Sequence, residues 1–545
     1  MLLTLGLVAC SSNPLESLNP FKKGEDESQR GTIGFVQGFL GGVAADEPRA
    51  ALIGRDILSA GGTAADAAVA VSFALSVTLP SSASLGGGGL CVVHDAKAEK
   101  TETLDFQAGV PKRIPATATQ PTAVPGNVRG LAALHAKYGR LPWAQLVSPA
   151  ESMARFGNQV SRALARDLQS VSPAMLADPE MRKILSRGKG GGIIREGDFF
   201  KQLDLSAVLG RLRARGAGDF YTGPLARQLV NAVTEAGGSL SVEDLRGYVP
   251  RWGPTLKIRH IKSTTFHFPM AASPSGILAA QMMGMLLEND EWEDATPAER
   301  AHLMAETAAR AFAGRERWLR QDGTSAVDPV SLVSGDRIEN LVAEIQTRRR
   351  PTINAANVHP VETTASPAGT GFVVADREGS AVACALTLNN LFGAGRVAPG
   401  MGIILAALPG LRGRGPDSLA AVLLVNNVHN VFYYAAAGSG GAVAPSALVA
   451  VTTGALLGKV EEDLEMALAA KRVHHGGAPD LTYYEQGLGA AIVNDLARRG
   501  HRLKPIPAMG LVNAILCPAG VPQEGDMTCA NRTDPRGFGL ASGTE

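Results

Sequence analysis

Thr370 lies in the run Pro367-Ala368-Gly369-Thr370-Gly371-Phe372-Val373-Val374-Ala375-Asp376, between a polar, proline-bearing stretch and the first residues of an apolar strand. A threonine at such a junction can become a new chain terminus. Rupture of the Gly369–Thr370 bond would leave one residue with both a hydroxyl nucleophile and an α-amino group able to act as its base. Few other arrangements compete for chemistry. His94, His135, His260 and His267 have no metal-ligand spacing, and the chain has no Gly-x-Ser-x-Gly elbow, so neither a metal nor an organic cofactor is implied. The run Gly86-Gly87-Gly88-Gly89 precedes a strand and lacks a following Lys-Ser or Lys-Thr, which suits a close backbone approach better than a phosphate cradle.

The chain has 545 residues, enough for two domains or one large layered one. Lys+Arg number 52 against Asp+Glu 51, and no basic block exceeds Arg348-Arg349-Arg350, so a nucleic-acid partner is not expected and a small or peptide-like substrate is. Residues 1–10 form a short apolar run ending in Leu7-Val8-Ala9-Cys10, which resembles a bacterial lipobox cleaved before a lipidated Cys10. The run is too short to span a bilayer. Residues 11–30 read as a flexible polar tether, and Ser11-Ser12 after the cysteine favour the outer membrane, on the periplasmic side of a bacterial envelope. Cys91 and Cys384 lie in apolar strand-like runs and read as buried thiols. Cys517 and Cys529 flank a turn-rich stretch and are candidates for a disulfide.

The elements that must position Thr370 follow from periodicity. Glu47-Pro48 opens a helix ended by Gly61-Gly62, and Thr63 caps a second, 64–79, whose almost wholly small or apolar content predicts burial inside a layered structure. Strands are predicted at 90–94 and 101–106. The region from about 130 to 350 reads as mainly helical, and 347–369 as an exposed loop or a segment released by processing. Beyond it, 370–375 and 381–388 form a predicted hairpin across Asp376-Arg377-Glu378-Gly379, and 420–425 pairs with 431–437. Helices are expected at 445–457, 462–470 and 486–499, with a closing strand at 514–517. Helices and antiparallel strands on both sides of Thr370 imply packed sheets covered by helices.

Seven short motifs, in order, resemble the γ-glutamyltranspeptidase family. They are Asp66-Ala67-Ala68-Val69-Ala70, Leu85-Gly86-Gly87-Gly88-Gly89, Leu104-Asp105-Phe106, Val124-Pro125-Gly126-Asn127-Val128, Gly218-Asp219-Phe220-Tyr221, Thr387-Leu388-Asn389-Asn390-Leu391-Phe392-Gly393 and Asp534-Pro535-Arg536. The resemblance implies an α/β (α+β) fold, the four-layer αββα sandwich of the N-terminal nucleophile hydrolases. It also implies a proenzyme that cuts itself between Gly369 and Thr370, so that 31–369 and 370–545 become associated subunits of one joint fold. Thr387 matches the threonine that hydrogen-bonds the nucleophile, Asn389 the substrate-contacting asparagine, Gly440-Gly441 the oxyanion-hole pair, and Ser418 one of two pocket serines.

The chain also departs from the family. Gln107 stands where an arginine clamps the substrate α-carboxylate, Leu419 replaces the second pocket serine, and Ala406-Ala407-Leu408-Pro409 replaces the polar and acidic residues that hold the α-amino group. The acyl pocket is therefore expected to be more apolar than a glutathione site. Counting back from Asp376 without gaps, the family's catalytic threonine falls on Gly369. A one-residue deletion between Thr370 and Asp376 would restore the match; without it, strand alternation turns Thr370 to the other face. Two readings follow. One is a self-processing amidohydrolase or acyltransferase acting on γ-glutamyl or related amides; the other is an unprocessed, non-catalytic envelope binding or scaffold lipoprotein of the same fold.

Overall fold

Two antiparallel sheets lie face to face between helical layers. The computed structural model describes residues 40–351, 369–410, 419–521 and 529–543, apart from 172, 188–190, 262, 272, 290, 321–322 and 459–462. The strands of the two sheets are β1 (Gly41–Ala45), β2 (Gly88–Asp95), β3 (Lys100–Asp105), β4 (Arg251–Gly253), β5 (Thr255–Ile261), β6 (Thr264–Pro269), β7 (Gly369–Asp376), β8 (Ala381–Thr387), β9 (Ala420–Asn426), β10 (Val431–Ser439), β11 (Leu511–Leu516), β12 (Ala530–Arg532) and β13 (Leu540–Gly543). The first sheet runs β13-β1-β7-β8-β2-β3-β4 and the second β12-β11-β10-β9-β6-β5. Together with the helices outside them, they make the αββα sandwich.

Alternation along each strand divides the apolar residues between an inner and an outer core. Val373 and Ala375 of β7 and Ala381, Ala383 and Ala385 of β8 meet Ala421, Leu423, Ala435 and Ala437 of the second sheet. Phe372, Val374, Val382, Cys384 and Leu386 point the other way, onto the helices α1 (Pro48–Ser59) and α2 (Ala64–Thr78). The small inner residues suit two sheets buried on both faces, while the large ones fill the wider gap under the helices. On the far side α3 (Pro274–Glu288), α4 (Pro297–Gly314) and α5 (Ala444–Leu457) cover the second sheet.

Every residue of α2 is buried, as its composition predicts. Thr63 and Asp66 close a capping box at its start, Thr63 Oγ1 accepting from the Asp66 amide at 3.1 Å and Asp66 Oδ2 from the Thr63 amide at 3.0 Å. The central region departs from its mainly helical reading, because it also supplies β4, β5 and β6. In β5 the polar Lys257 and Arg259 alternate with buried Leu256 and Ile258, the signature of an edge strand lying among longer helical segments. β1 and β13 are also unexpected; the β1 sequence Gly-Gly-Val-Ala-Ala is too short and too small to signal a strand, yet β7 and β13 pair with it on either side.

Cys91 and Cys384 are not free thiols. They face each other across the β2–β8 ladder with Cα atoms 4.1 Å apart and form a disulfide. Burial in apolar strands hides such a pair in the sequence, because only the ladder supplies the separation. Cys517 and Cys529 are joined as expected, 4.2 Å apart at Cα. The Asp534-Pro535-Arg536 motif fastens β11 from behind: Asp534 Oδ2 accepts from Arg472 Nη2 at 2.6 Å and from the Val512 amide at 3.0 Å, and Arg536 Nε donates to Glu485 at 2.6 Å. Arg472 and Asp534 are both buried, so removing one strands the other's charge. Asp534→Ala should lower unfolding stability by about 3–5 kcal/mol, measured as the shift in denaturant midpoint.

Candidate active site

The hairpin β7–β8 sets the geometry. Its ladder runs without a bulge from Ala375 opposite Ala381 to Thr370 opposite Leu386 and Gly369 opposite Thr387. Residues directly opposite in an antiparallel pair share a face. Gly369 therefore shares the inner face with Thr387, and Thr370 shares the outer face with Leu386. The ladder therefore places Thr370 opposite Leu386 and not Thr387, and no hydrogen bond joins the two threonines. Thr387 Oγ1 instead accepts from the Asn389 amide at 2.8 Å.

Thr370 is fully buried and finds a different partner. Its hydroxyl donates to Asp46 Oδ2 at 2.9 Å, and the Gly371 amide donates to the same oxygen at 3.0 Å. Asn513 Nδ2, from β11 in the second sheet, donates to Asp46 Oδ1 at 2.8 Å and to the Gly371 carbonyl at 2.7 Å. Asp46 follows β1 directly, so three chain segments distant in sequence converge on one carboxylate. Burial pushes its carboxyl above the usual range, against the opposing pull of Asn513, Gly371, Thr370 and the Arg166 charge. Asp167, which accepts from Ser81 Oγ at 2.6 Å, is also raised by burial, with Asp46 a further contributor and Arg166 opposing.

Gly440 and Gly441 lie at the turn from β10 into α5, with φ of 129° and 73°. A Cβ on Gly440 would lie 2.5 Å from Gly510 Cα, so both space and backbone angle require glycine there. No hydrogen bond from either amide to another described residue is seen. The Gly86–Gly89 run serves close backbone approach: added Cβ atoms would meet the carbonyls of Ile404, Thr387, Phe106 and Ala385 in turn at 2.3–2.6 Å. The Gly87 carbonyl accepts from the Gly126 and Asn127 amides, so two of the family-like motifs are one contact.

Gln107 folds back, its Nε2 donating to Asp105 at 3.1 Å while Tyr248 donates to its carbonyl at 2.8 Å. Asn389, at φ 65°, gives its Nδ2 to the Ala407 carbonyl at 2.8 Å. Ala406 and Ala407 are buried, so an apolar strap lies where the family places polar groups. Cys10 and Ser418 lie outside the described residues.

The description Gamma-glutamyltranspeptidase belongs to the family profile that matches residues 50–407 and 412–544. The chain belongs to this family. Its relatives include a glutathione hydrolase proenzyme of Pseudomonas aeruginosa, 28% identical over 92% of this chain and 94% of that protein. The glutathione hydrolase proenzyme of Bacillus subtilis is 31% identical over 67% of each chain. A cephalosporin acylase of Bacillus halodurans shares the fold with a TM-score of 0.77 at 23% identity, covering 98% of this chain and 99% of that one. The γ-glutamyltranspeptidase of Helicobacter pylori aligns with a TM-score of 0.52 at 26% identity over 58% of this chain and 93% of that one. The chain is thus a divergent, gamma-glutamyltransferase-like enzyme with the αββα fold of the N-terminal nucleophile hydrolases.

Within this family member, periodicity and motif reading missed Asp46 and Asn513. Asp46 precedes Glu47, and Glu47 is the residue that caps α1, its Oε2 accepting from the Ala50 amide at 2.9 Å. The acid beside it reads as a second capping residue. Also missed is the buried trio His302, Glu306 and His501, whose ligand atoms lie within 4.8 Å of one another. Its ring nitrogens are already used: His302 bonds the Gln346 carbonyl and, at 2.7 Å, His501, which bonds Thr482 at 2.8 Å; Glu306 accepts from Arg310 at 2.7 Å. Burial, with His302 beside it, pushes His501 down to about 2 and lowers His302 too, so the histidines read as a neutral hydrogen-bonded pair beside a Glu306 ion-paired with Arg310 and Arg350.

Gly440→Ala should lower stability by about 1–3 kcal/mol through backbone strain, plus the clash with Gly510. Gly400→Ala, at φ 68° with nothing within 4 Å of the added Cβ, isolates the backbone contribution and should cost less. Thermal unfolding of the two variants checks the difference.

Proposed function

We propose that this chain is a self-processing threonine amidohydrolase or acyltransferase that cleaves its own Gly369–Thr370 bond and then uses Thr370 on an amide substrate. The observation that carries the reading is the Thr370 hydroxyl held at 2.9 Å by a buried carboxylate at the start of β7, within the family's fold. After cleavage, the Thr370 α-amine, with a reference pKa of about 8, can take the hydroxyl proton at neutral pH. The hydroxyl adds to the substrate carbonyl, the amine component leaves, and the acyl group passes to water or to an amino acid. Gly440 and Gly441 would hold the oxyanion, where loss of one donor typically costs roughly 3 kcal/mol.

The substrate follows from what lines the acyl site. Gln107 offers no charge to an α-carboxylate, and Ala406-Ala407 offers none to an α-amine, so we assign an acyl amide less polar than a γ-glutamyl group. No metal or organic cofactor enters the scheme. The bulge-free register also favours a second reading, an unprocessed binding protein, because it puts Gly369 rather than a hydroxyl on the face of Thr387. For location we propose a lipid anchor at Cys10 on the periplasmic side of the envelope, where the two disulfides also fit.

Purified protein should contain a fragment whose first residue is Thr370, by intact mass, and Thr370→Ala should stay whole. A wild-type chain that stays whole favours the binding-protein reading. Since Cys91 precedes the cut and Cys384 follows it, the fragments should separate on a denaturing gel only after reduction. Hydrolysis of uncharged acyl anilides should exceed that of a γ-glutamyl anilide, and Gln107→Arg should shift kcat/KM toward the γ-glutamyl compound by about tenfold or more.

A further inference from the structure

We infer that Asp46, oriented by Asn513, is the group that accepts the Thr370 hydroxyl proton during self-cleavage. The inference rests on the reading of Thr370 as the self-processing nucleophile. Before cleavage, the Thr370 nitrogen is an amide and has no basicity to lend its own hydroxyl. The intact chain therefore needs a second base, and Asp46 Oδ2 lies 2.9 Å from Thr370 Oγ1. Thr387 cannot serve, because the ladder puts it on the other face.

The carboxylate is held for this task from three sides. Thr370 and Gly371 donate to one oxygen and Asn513 to the other, while Asn513 also bridges to the Gly371 carbonyl and ties the two sheets at this point. Among the described residues, the charged groups near Asp46 are Arg166 and Asp167 of the helix Arg162–Leu168 and Glu47 next in sequence; β7 and β11 present to it only the uncharged Thr370, Gly371 and Asn513. Burial raises the basicity of the carboxylate over that of an exposed aspartate, which strengthens it as a proton acceptor once ionised.

The step balances as follows. Thr370 Oγ1 bonds to the Gly369 carbonyl carbon as its proton passes to Asp46 Oδ2. The Gly369 C–Thr370 N bond breaks, and the proton moves from Asp46 to the departing nitrogen. Water hydrolyses the resulting ester, leaving a Gly369 carboxylate and a Thr370 that carries a free α-amine and its restored hydroxyl. From then on the amine is available as base for turnover.

The test follows fragment formation over time by intact mass, in freshly purified wild type, Asp46→Asn and Asn513→Ala, with folding of each checked by near-UV circular dichroism. Asp46→Asn keeps the shape and removes the base; it should slow cleavage roughly 100-fold or more. Asn513→Ala keeps the base and loosens it; about tenfold slowing is expected. The wild-type rate should fall at acid pH as Asp46 protonates, and this limb should vanish in Asp46→Asn. Cleavage of folded Asp46→Asn at the wild-type rate overturns the inference and leaves self-processing intact. A wild type that never cleaves overturns the underlying reading instead. If Asp46→Asn does not fold, an Asn513→Ala rate and pH profile equal to wild type overturns it.

Discussion

The bulge-free register between β7 and β8 is the constraint on which the rest of the site depends. A strand has two faces and no intermediate setting, so a single residue of offset decides which core a side chain enters. Here it sends Thr370 toward the face shared by Phe372 and Leu386 and leaves Gly369 opposite Thr387. The two neighbouring glycines, Gly369 and Gly371, belong to the inner face. Gly371 lies so close to the second sheet that an added Cβ would come within 2.9 Å of the Ala437 carbonyl. Close approach of the sheets thus requires glycine at 371, while Gly369, where the family pattern places a hydroxyl, lies against Leu386 of its own sheet.

Buried polarity marks both ends of this arrangement. At one end a single carboxylate gathers the amide of Gly371, the hydroxyl of Thr370 and the side-chain amide of Asn513. At the other, Arg472, Asp534, Arg536 and Glu485 satisfy one another behind β11. The second cluster closes on itself with opposite charges and reads as a fastening. The first has a single carboxyl group ringed by neutral donors, one of them the Thr370 hydroxyl, with Arg166 acting only through its field.

Much of the fold was legible in the sequence because its signals are local. The cap at Thr63, the almost wholly small or apolar α2, the β7–β8 hairpin with its Asp376–Gly379 turn and the β9–β10 pair each show in a short window of residues. β1 did not, since five small residues carry no periodicity, and β5 and β6 were hidden among helices. The Cys91–Cys384 bond and the Asp46–Asn513 contact were illegible for a shared reason. Each joins positions hundreds of residues apart whose meeting depends on strand order and register, and no window along the chain contains both partners. The family-like motifs led to the right fold, but Asp46, the partner of Thr370, lay outside them.

β1 has a consequence for timing. It sits between β7 and β13, so the segment that delivers Asp46 acquires both flanking neighbours from parts of the chain made long after it. Asn513, which aims the carboxylate, is likewise made late. A nascent chain that has just emitted Thr370 from the ribosome holds the hydroxyl and the acid but neither β11 nor β13. The full set of hydrogen bonds on the carboxylate therefore cannot form until translation has passed Asn513.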